Sequence, residues 1–297
     1  MSSAAEVARH RAEAALALRR WDDALREATL AVGADPEALS GHTLLARALL
    51  GKDDGGGALA AADAGLARHP DDDQLFRLRG LALRRQKRFR EALAAADEAL
   101  RLQPGLAVGH YLRSLVLQDL ERLDEARAAA EQAVALDPED AILRTHLGDL
   151  ALATSPAAAE QHYRASLAVN PGSAHTLNNL GVALTRQGRG ADAALAFKAA
   201  VLVDPTLTIA RENTHATVAE LLGGGVLVAG LAAVQGFRIL SFDLGERTLT
   251  GIALAVVFGL AYAAGLRWYR RWKLGRRDPE LLALWEKLDA ARRRGSL

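Results

Sequence analysis

The 297 residues are half apolar and one quarter charged, with a net charge of +1, so the chain carries no general basic footprint for nucleic acid. Cysteine is absent, which excludes disulfides, thiolate catalysis and thiolate metal sites. Arginine outnumbers lysine 32 to 5, a bias that reflects base composition rather than chemistry. Met1 to Arg20 holds several charges and no uninterrupted apolar run. No signal peptide is therefore expected, and the first 205 residues are predicted to start in the cytosol.

Proline marks a regular period along the chain. Pro36, Pro70, Pro104, Pro138, Pro171 and Pro205 lie 34, 34, 34, 33 and 34 residues apart, and only Pro156 and Pro279 fall outside the series. Asp35, His69, Asp137, Asn170 and Asp204 precede five of the six; Gln103 precedes the other. Between successive prolines the apolar spacing predicts two amphipathic helices. In the last unit Leu177, Leu180, Gly181 and Leu184 share a helical face, Gly188-Arg189-Gly190 makes a turn, and Ala193, Phe197 and Ala200 share a second face. Small residues recur where the two helices must cross closely. Gly80, Gly148 and Gly181 fill that place in first helices, and Ala24, Ala58, Ala92, Ala126, Ala159 and Ala193 fill it in second helices. Proline cannot continue a helix, so it closes each unit.

This pattern resembles the tetratricopeptide repeat in its period, its Leu147-Gly148 and Leu180-Gly181 pairs, its second-helix alanines and its closing Asp-Pro. The likeness covers about residues 3–205 as six units ending at the six prolines. It implies an all-α superhelical solenoid with a concave inner surface. The chain departs from the family in places. Ala8, His42, Phe76, His110, Arg144 and Leu177 stand where the family favours Trp, and Arg11, Arg79 and Arg113 replace a first-helix leucine. The fifth unit is one residue short near Ser155-Pro156, and Gly55-Gly56-Gly57 is expected to loosen the turn of the second.

The resemblance also implies which first-helix positions line the groove. Unit by unit these are Arg9, Arg47, Arg77, Arg84 and Arg85, with Glu6 and Glu13, and then Tyr111, Gln118, Thr145, His146, Asp149, Asn178, Asn179, Thr185 and Arg186. Such a groove, basic at one end and polar at the other, suits an extended acidic peptide held by arginines and asparagines. The alternative is a solvated charged face without a dedicated ligand. The Lys/Asn clamp that some family members use for chaperone C-termini is not reproduced, since Arg9, Glu13 and Leu44 stand there.

After the repeats, residues 206–220 read as a polar capping helix and linker, with Arg211, Glu212, Asn213 and His215. Leu221 to Phe237 then carries no charge, and neither does Thr248 to Leu266. At 1.5 Å per residue these runs cover about 25 Å and about 28 Å, close to a hydrocarbon core of about 30 Å. We expect transmembrane helices at 218–240 and 248–266, joined by a short exported loop at 241–247. Gly251, Ala255, Gly259 and Ala263 form a small-residue stripe in the second span, which permits close helix approach in lipid. Trp268, Tyr269 and Trp272 suit an interfacial belt. A buried soluble hairpin is disfavoured because a repeat array already has its own core.

Arg267, Arg270, Arg271, Lys273, Arg276 and Arg277 follow the second span, while the loop holds only Arg238 and Arg247 against Asp243 and Glu246. Both termini are therefore predicted to be cytosolic. In the basic tail, 267–297, Leu281, Leu282, Leu284, Trp285 and Leu288 share a face. That segment reads as a helix on the inner leaflet, as a helix docked on protein, or as a frayed end.

The sequence offers no chemistry. Gly223-Gly224-Gly225 lacks the lysine and hydroxyl of a phosphate loop, and no histidine spacing suits a metal. No serine elbow occurs, and the spans hold no central ionisable group. No catalytic residue, metal site, cofactor, small-molecule substrate or nucleic-acid partner is expected. The reading is a non-enzymatic scaffold or adaptor on the cytosolic face of a bacterial inner membrane, holding a protein partner in its groove and the bilayer through two helices. The alternative is a regulatory or assembly subunit of a membrane enzyme or transport complex, docked through its hairpin.

Overall fold

The computed structural model describes residues 3–217. Twelve α-helices run in chain order: α1 (Ser3–Ala17), α2 (Trp21–Ala34), α3 (Leu39–Gly51), α4 (Gly55–Leu66), α5 (Asp73–Arg85), α6 (Phe89–Leu102), α7 (Ala107–Asp119), α8 (Leu123–Leu136), α9 (Ala141–Ala151), α10 (Pro156–Val169), α11 (Ala174–Arg186) and α12 (Gly190–Val203). Residues 208–217 are helical as well. The odd-numbered helices are the first helices of six units, and each closing proline falls in the turn after an even-numbered one. Contacts divide the chain into two compact parts, Met1–Leu150 and Ala151–Leu297.

Close approach between helices rests on the predicted small residues. Ala24, Ala58, Ala92, Ala126, Ala159 and Ala193 are all 0% exposed. A Cβ on Gly181 would meet the Phe197 ring at 2.5 Å, and one on Gly80 would meet Leu112 Cδ2 at 2.9 Å. Both distances are too short for a side chain to be added without repacking.

Each link between the two helices of a unit has the same backbone solution in five cases. Arg19, Asp53, Lys87, Glu121 and Gly188 take φ of 55°, 63°, 60°, 60° and 73°. The next N–H then reaches back over the end of the first helix: Arg20 to Ala15, Asp54 to Leu49, Arg88 to Leu83, Arg122 to Leu117 and Arg189 to Leu184, at 2.8–2.9 Å. This left-handed C′ residue satisfies carbonyls that the helix end leaves open. The short fifth unit does without it. Thr154 and Ser155 both donate to the Ala151 carbonyl, at 3.1 and 2.8 Å, and Ser155 caps α10 with Pro156 in its first turn.

The turns between units explain the residue before proline. The side chains of Asp137, Asn170 and Asp204 accept the N–H two residues on, at 3.3, 3.2 and 2.8 Å, the Asx turn that favours Asp and Asn there. The departures at the Trp position also have a physical reason. His42, His110 and Arg144 each place a ring or guanidinium nitrogen 2.7–2.9 Å from the carbonyl of the closing proline six residues back. Arg79 and Arg113, which replace leucine, each donate to an aspartate of the preceding unit at 2.8 Å, Asp63 and Asp97. One expectation is corrected. Gly55, Gly56 and Gly57 do not loosen a turn; they form the first turn of α4, with the Asp54 carboxylate accepting the Gly57 N–H at 2.8 Å. An aspartate N-cap compensates for three poor helix formers.

Within Met1–Leu150 every helix from α1 to α8 packs on its sequence neighbour, and first helices also touch one another, α1 with α3, α3 with α5 and α5 with α7. In the second part α10, α11 and α12 enclose Tyr163, Leu184 and Phe197. Glu160 there receives Arg189 at 2.8 Å, Arg164 at 2.9 Å and Gln187 at 2.9 Å. Burial pushes its pKa up, but these donors outweigh burial and hold it below the ordinary glutamate range. Residues 208–217 lay Ala210 on Ala200 and Val201, so the start of the predicted capping segment does pack on the last unit.

Among the described residues no helix is long and apolar enough to cross a membrane. The predicted spans at 218–240 and 248–266, the loop at 241–247 and the tail at 267–297 lie outside the described residues.

The left-handed turn yields a stability prediction. A non-glycine residue there costs about 1–2 kcal/mol, and glycine returns about 0.5–1 of it in chain entropy. Lys87→Gly is therefore expected to raise the unfolding free energy by up to about 1 kcal/mol, and Gly188→Ala to lower it by a similar amount. Urea melts of both variants check this.

Candidate binding cleft

First helices face one another along α1, α3, α5 and α7, and two clefts open there, each of about 570 Å³. One is polar. It is bounded by Arg9, Glu13, Asp35, Glu37, Ser40 and Arg47. The other has an apolar floor of Leu16, Trp21, Leu50, Leu78, Leu81, Leu112 and Leu115, rimmed by Arg19, Arg47, Arg77, Arg85 and Tyr111. Gly51 keeps this second cleft open at one end, because a Cβ there would overlap the Trp21 ring at 2.3 Å.

The predicted groove residues meet different fates. Arg47, Arg77, Arg85 and Tyr111 come together on the apolar cleft, while Arg9 lies in the polar one with Arg47. Most of the arginines are already engaged. Arg77 donates to Asp73 at 3.1 Å, Arg84 pairs with Asp119, Arg85 pairs with Asp53, and Arg9 donates to Ser40 at 3.1 Å. Asp119 belongs to the unit after Arg84, and Asp53 to the unit before Arg85, so these pairs clip neighbouring units together. The expected row of arginines free to grip carboxylates is thereby corrected. Arg47 is exposed and has no hydrogen bond or ion pair to another described residue. Arg19 sits over Trp21, 5.6 Å from the ring centroid, a cation–π contact.

The polar end of the predicted groove is also more internal than expected. The Thr145 hydroxyl bonds its own helix at the Ala141 carbonyl, 2.9 Å. Asp149 is exposed and Asn179 half-buried. Asn178 is only 4% exposed; its amide donates to Asn179 at 3.4 Å and its oxygen accepts from Asn213 at 2.9 Å. It therefore ties the last unit to the helix that caps it instead of presenting a donor to a ligand. What sequence reasoning missed was the leucine floor. Leu81 and Leu115 stand 34 and 68 residues after Arg47, so reading the repeat position by position would have found them.

His146 is 6% exposed and stands where Leu44, Leu78 and Leu112 stand in earlier units. Its Nε2 lies 2.8 Å from Ser114 Oγ, and Ser114 donates its one proton to the Ala126 carbonyl at 2.7 Å. The imidazole must then donate from Nε2. Tyr111 meets the ring edge-on at 5.1 Å. Burial, reinforced by the Arg84 charge, pushes the His146 pKa down to about 4, and burial raises the Tyr111 hydroxyl above its ordinary range. Ser114 is 0% exposed with its proton committed, so this Ser–His pair is a packing device and not a nucleophile with its base. Among the described residues no cluster of His, Cys, Asp or Glu suits a metal ion.

Two family models, both described as tetratricopeptide repeat, match the sequence: one at residues 43–107 and 153–206, the other at 107–140. Together they span more than half of the chain. The chain belongs to the tetratricopeptide repeat family. Solved structures of similar fold include TTC0263, a tetratricopeptide repeat protein of Thermus thermophilus, with 24% identity, a TM-score of 0.57 and coverage of 61% of this chain and 99% of that one. PilF of Pseudomonas aeruginosa matches at 18% identity and a TM-score of 0.57, over 70% and 96%. Cut9 with Hcn1, from the anaphase-promoting complex, matches at 18% and 0.57, over 90% and 52%. No curated protein sequence matches. At these identities the structures establish the fold. In this tetratricopeptide repeat protein the first helices carry the clefts, as the fold allows.

The buried imidazole gives a pH prediction. Its pKa is lower folded than unfolded, where it is about 6.5, so its share of stability is complete above pH 6.5. That share is lost as pH falls from 6.5 towards 4, by a total on the order of 3 kcal/mol. His146→Leu leaves the Ser114–Ala126 bond intact and should remove this part of the pH dependence. Urea midpoints of both proteins measured from pH 7 to pH 4 check it.

Proposed function

We propose that this chain is a non-enzymatic scaffold, tethered to the cytosolic face of a bacterial inner membrane, that holds a protein partner in the apolar cleft of its first helices. One observation carries the reading: a cleft of about 570 Å³ with a leucine floor and a cationic rim, the profile of a site for a protein segment with apolar anchors. The uncharged runs at 221–237 and 248–266 and the arginines that follow them support the tether and its orientation. Tethering raises the local concentration of whatever the cleft binds. The small-residue stripe Gly251, Ala255, Gly259 and Ala263 favours a second reading, in which the hairpin packs against other membrane helices and the chain is a subunit of a membrane enzyme or transport complex.

The hairpin and the cleft are tested separately. An unrelated two-span hairpin in place of residues 218–266 should leave partner capture intact; loss of capture would favour the complex subunit. Leu81→Glu in the full-length protein should abolish capture, and capture that survives it contradicts the cleft assignment. A reporter fused at Leu297 should be active in the cytosol, and activity confined to the exported side overturns the orientation.

A further inference from the structure

The same position of three successive first helices lines the apolar cleft: Arg47 on α3, Leu81 on α5 and Leu115 on α7. These residues are one repeat apart, and their helices touch in that order. The row therefore begins with a cation and continues with two apolar side chains. Among the rim cations Arg77 and Arg85 are neutralised by Asp73 and Asp53. Arg47 has no such partner among the described residues and reaches both clefts.

A bound chain lying across the helices passes them in sequence. Packed helices lie about 8–10 Å apart, and an extended chain advances about 3.3 Å per residue, so about three residues separate the groups facing adjacent helices. We propose, resting on the cleft reading above, that the occupant is an extended peptide segment carrying one carboxylate and, three and six residues from it, two aliphatic side chains. The carboxylate sits on Arg47 and the aliphatic groups on Leu81 and Leu115. An acid at the central position would face leucine and lose its water without gaining a partner. The site thus reads one acid at one end and not an acidic tract.

Three fluorescein-labelled peptides test this against the full-length protein by anisotropy: Asp-Ser-Ser-Leu-Ser-Ser-Leu, the isomer Leu-Ser-Ser-Asp-Ser-Ser-Leu, and the first with Lys in place of Asp. The first should bind about tenfold more tightly than either of the others, the size of one charge-assisted hydrogen bond. Arg47→Glu should invert the preference between the Asp-first and Lys-first peptides, while Arg85→Gln leaves the order unchanged. Equal binding of the two isomers, no binding of any peptide, or an order indifferent to Arg47→Glu overturns the proposal. If native partner capture is nevertheless lost in Leu81→Glu, the cleft reading stands and only the acid-first pattern has failed. Capture that survives Leu81→Glu removes the cleft reading itself.

Discussion

Close contact between the two helices of each unit is the constraint on which everything else depends. A buried alanine, repeated at Ala24, Ala58, Ala92, Ala126, Ala159 and Ala193, lets one backbone lie against the next, and a larger side chain there would push the pair apart. With that spacing fixed, a left-handed turn residue closes the first link and an Asx-proline turn closes the second. Units then stack with their first helices in contact, and the cleft opens where those helices meet. Site geometry in this protein is thus a consequence of repeat packing and not of a special loop.

Charge in the chain is spent mostly on holding units together. Arg84 with Asp119, Arg85 with Asp53, Arg79 with Asp63, Arg113 with Asp97 and Lys52 with Asp22 all join residues of adjacent units. Exposed pairs of this kind contribute about 0–1 kcal/mol each, so their main effect is to fix which helix faces which. A cation that survives without a partner, Arg47, stands out against this background, and recognition rests on it and on the leucines beside it.

The fold was legible because period is a one-dimensional property. Proline spacing, the small residues and the apolar faces of two helices per unit all appear in the sequence without knowledge of contacts. The missing residue at Ser155-Pro156 was legible for the same reason, and the structure shows it as the one link without a left-handed residue. Partners were not legible, because a face assignment says which side chains point into a groove and not which of them meet across units. Arg84 and Arg85 read as free cations until Asp119 and Asp53 were placed beside them, and Asn178 read as a ligand donor until residues 208–217 covered it. The three glycines of α4 misled because glycine suggests a turn, whereas the Asp54 cap lets the helix start through them.

The central claim is that partners are held on the first-helix face between α3 and α7. Site-specific photo-crosslinking in intact cells tests it most directly, with a benzophenone side chain placed in turn at Leu81, at Leu115 and at Leu30, which is 56% exposed on the second helix α2. The account predicts one common crosslinked partner from Leu81 and Leu115 and none from Leu30. Crosslinks from Leu30 to that partner, with none from Leu81, would contradict it.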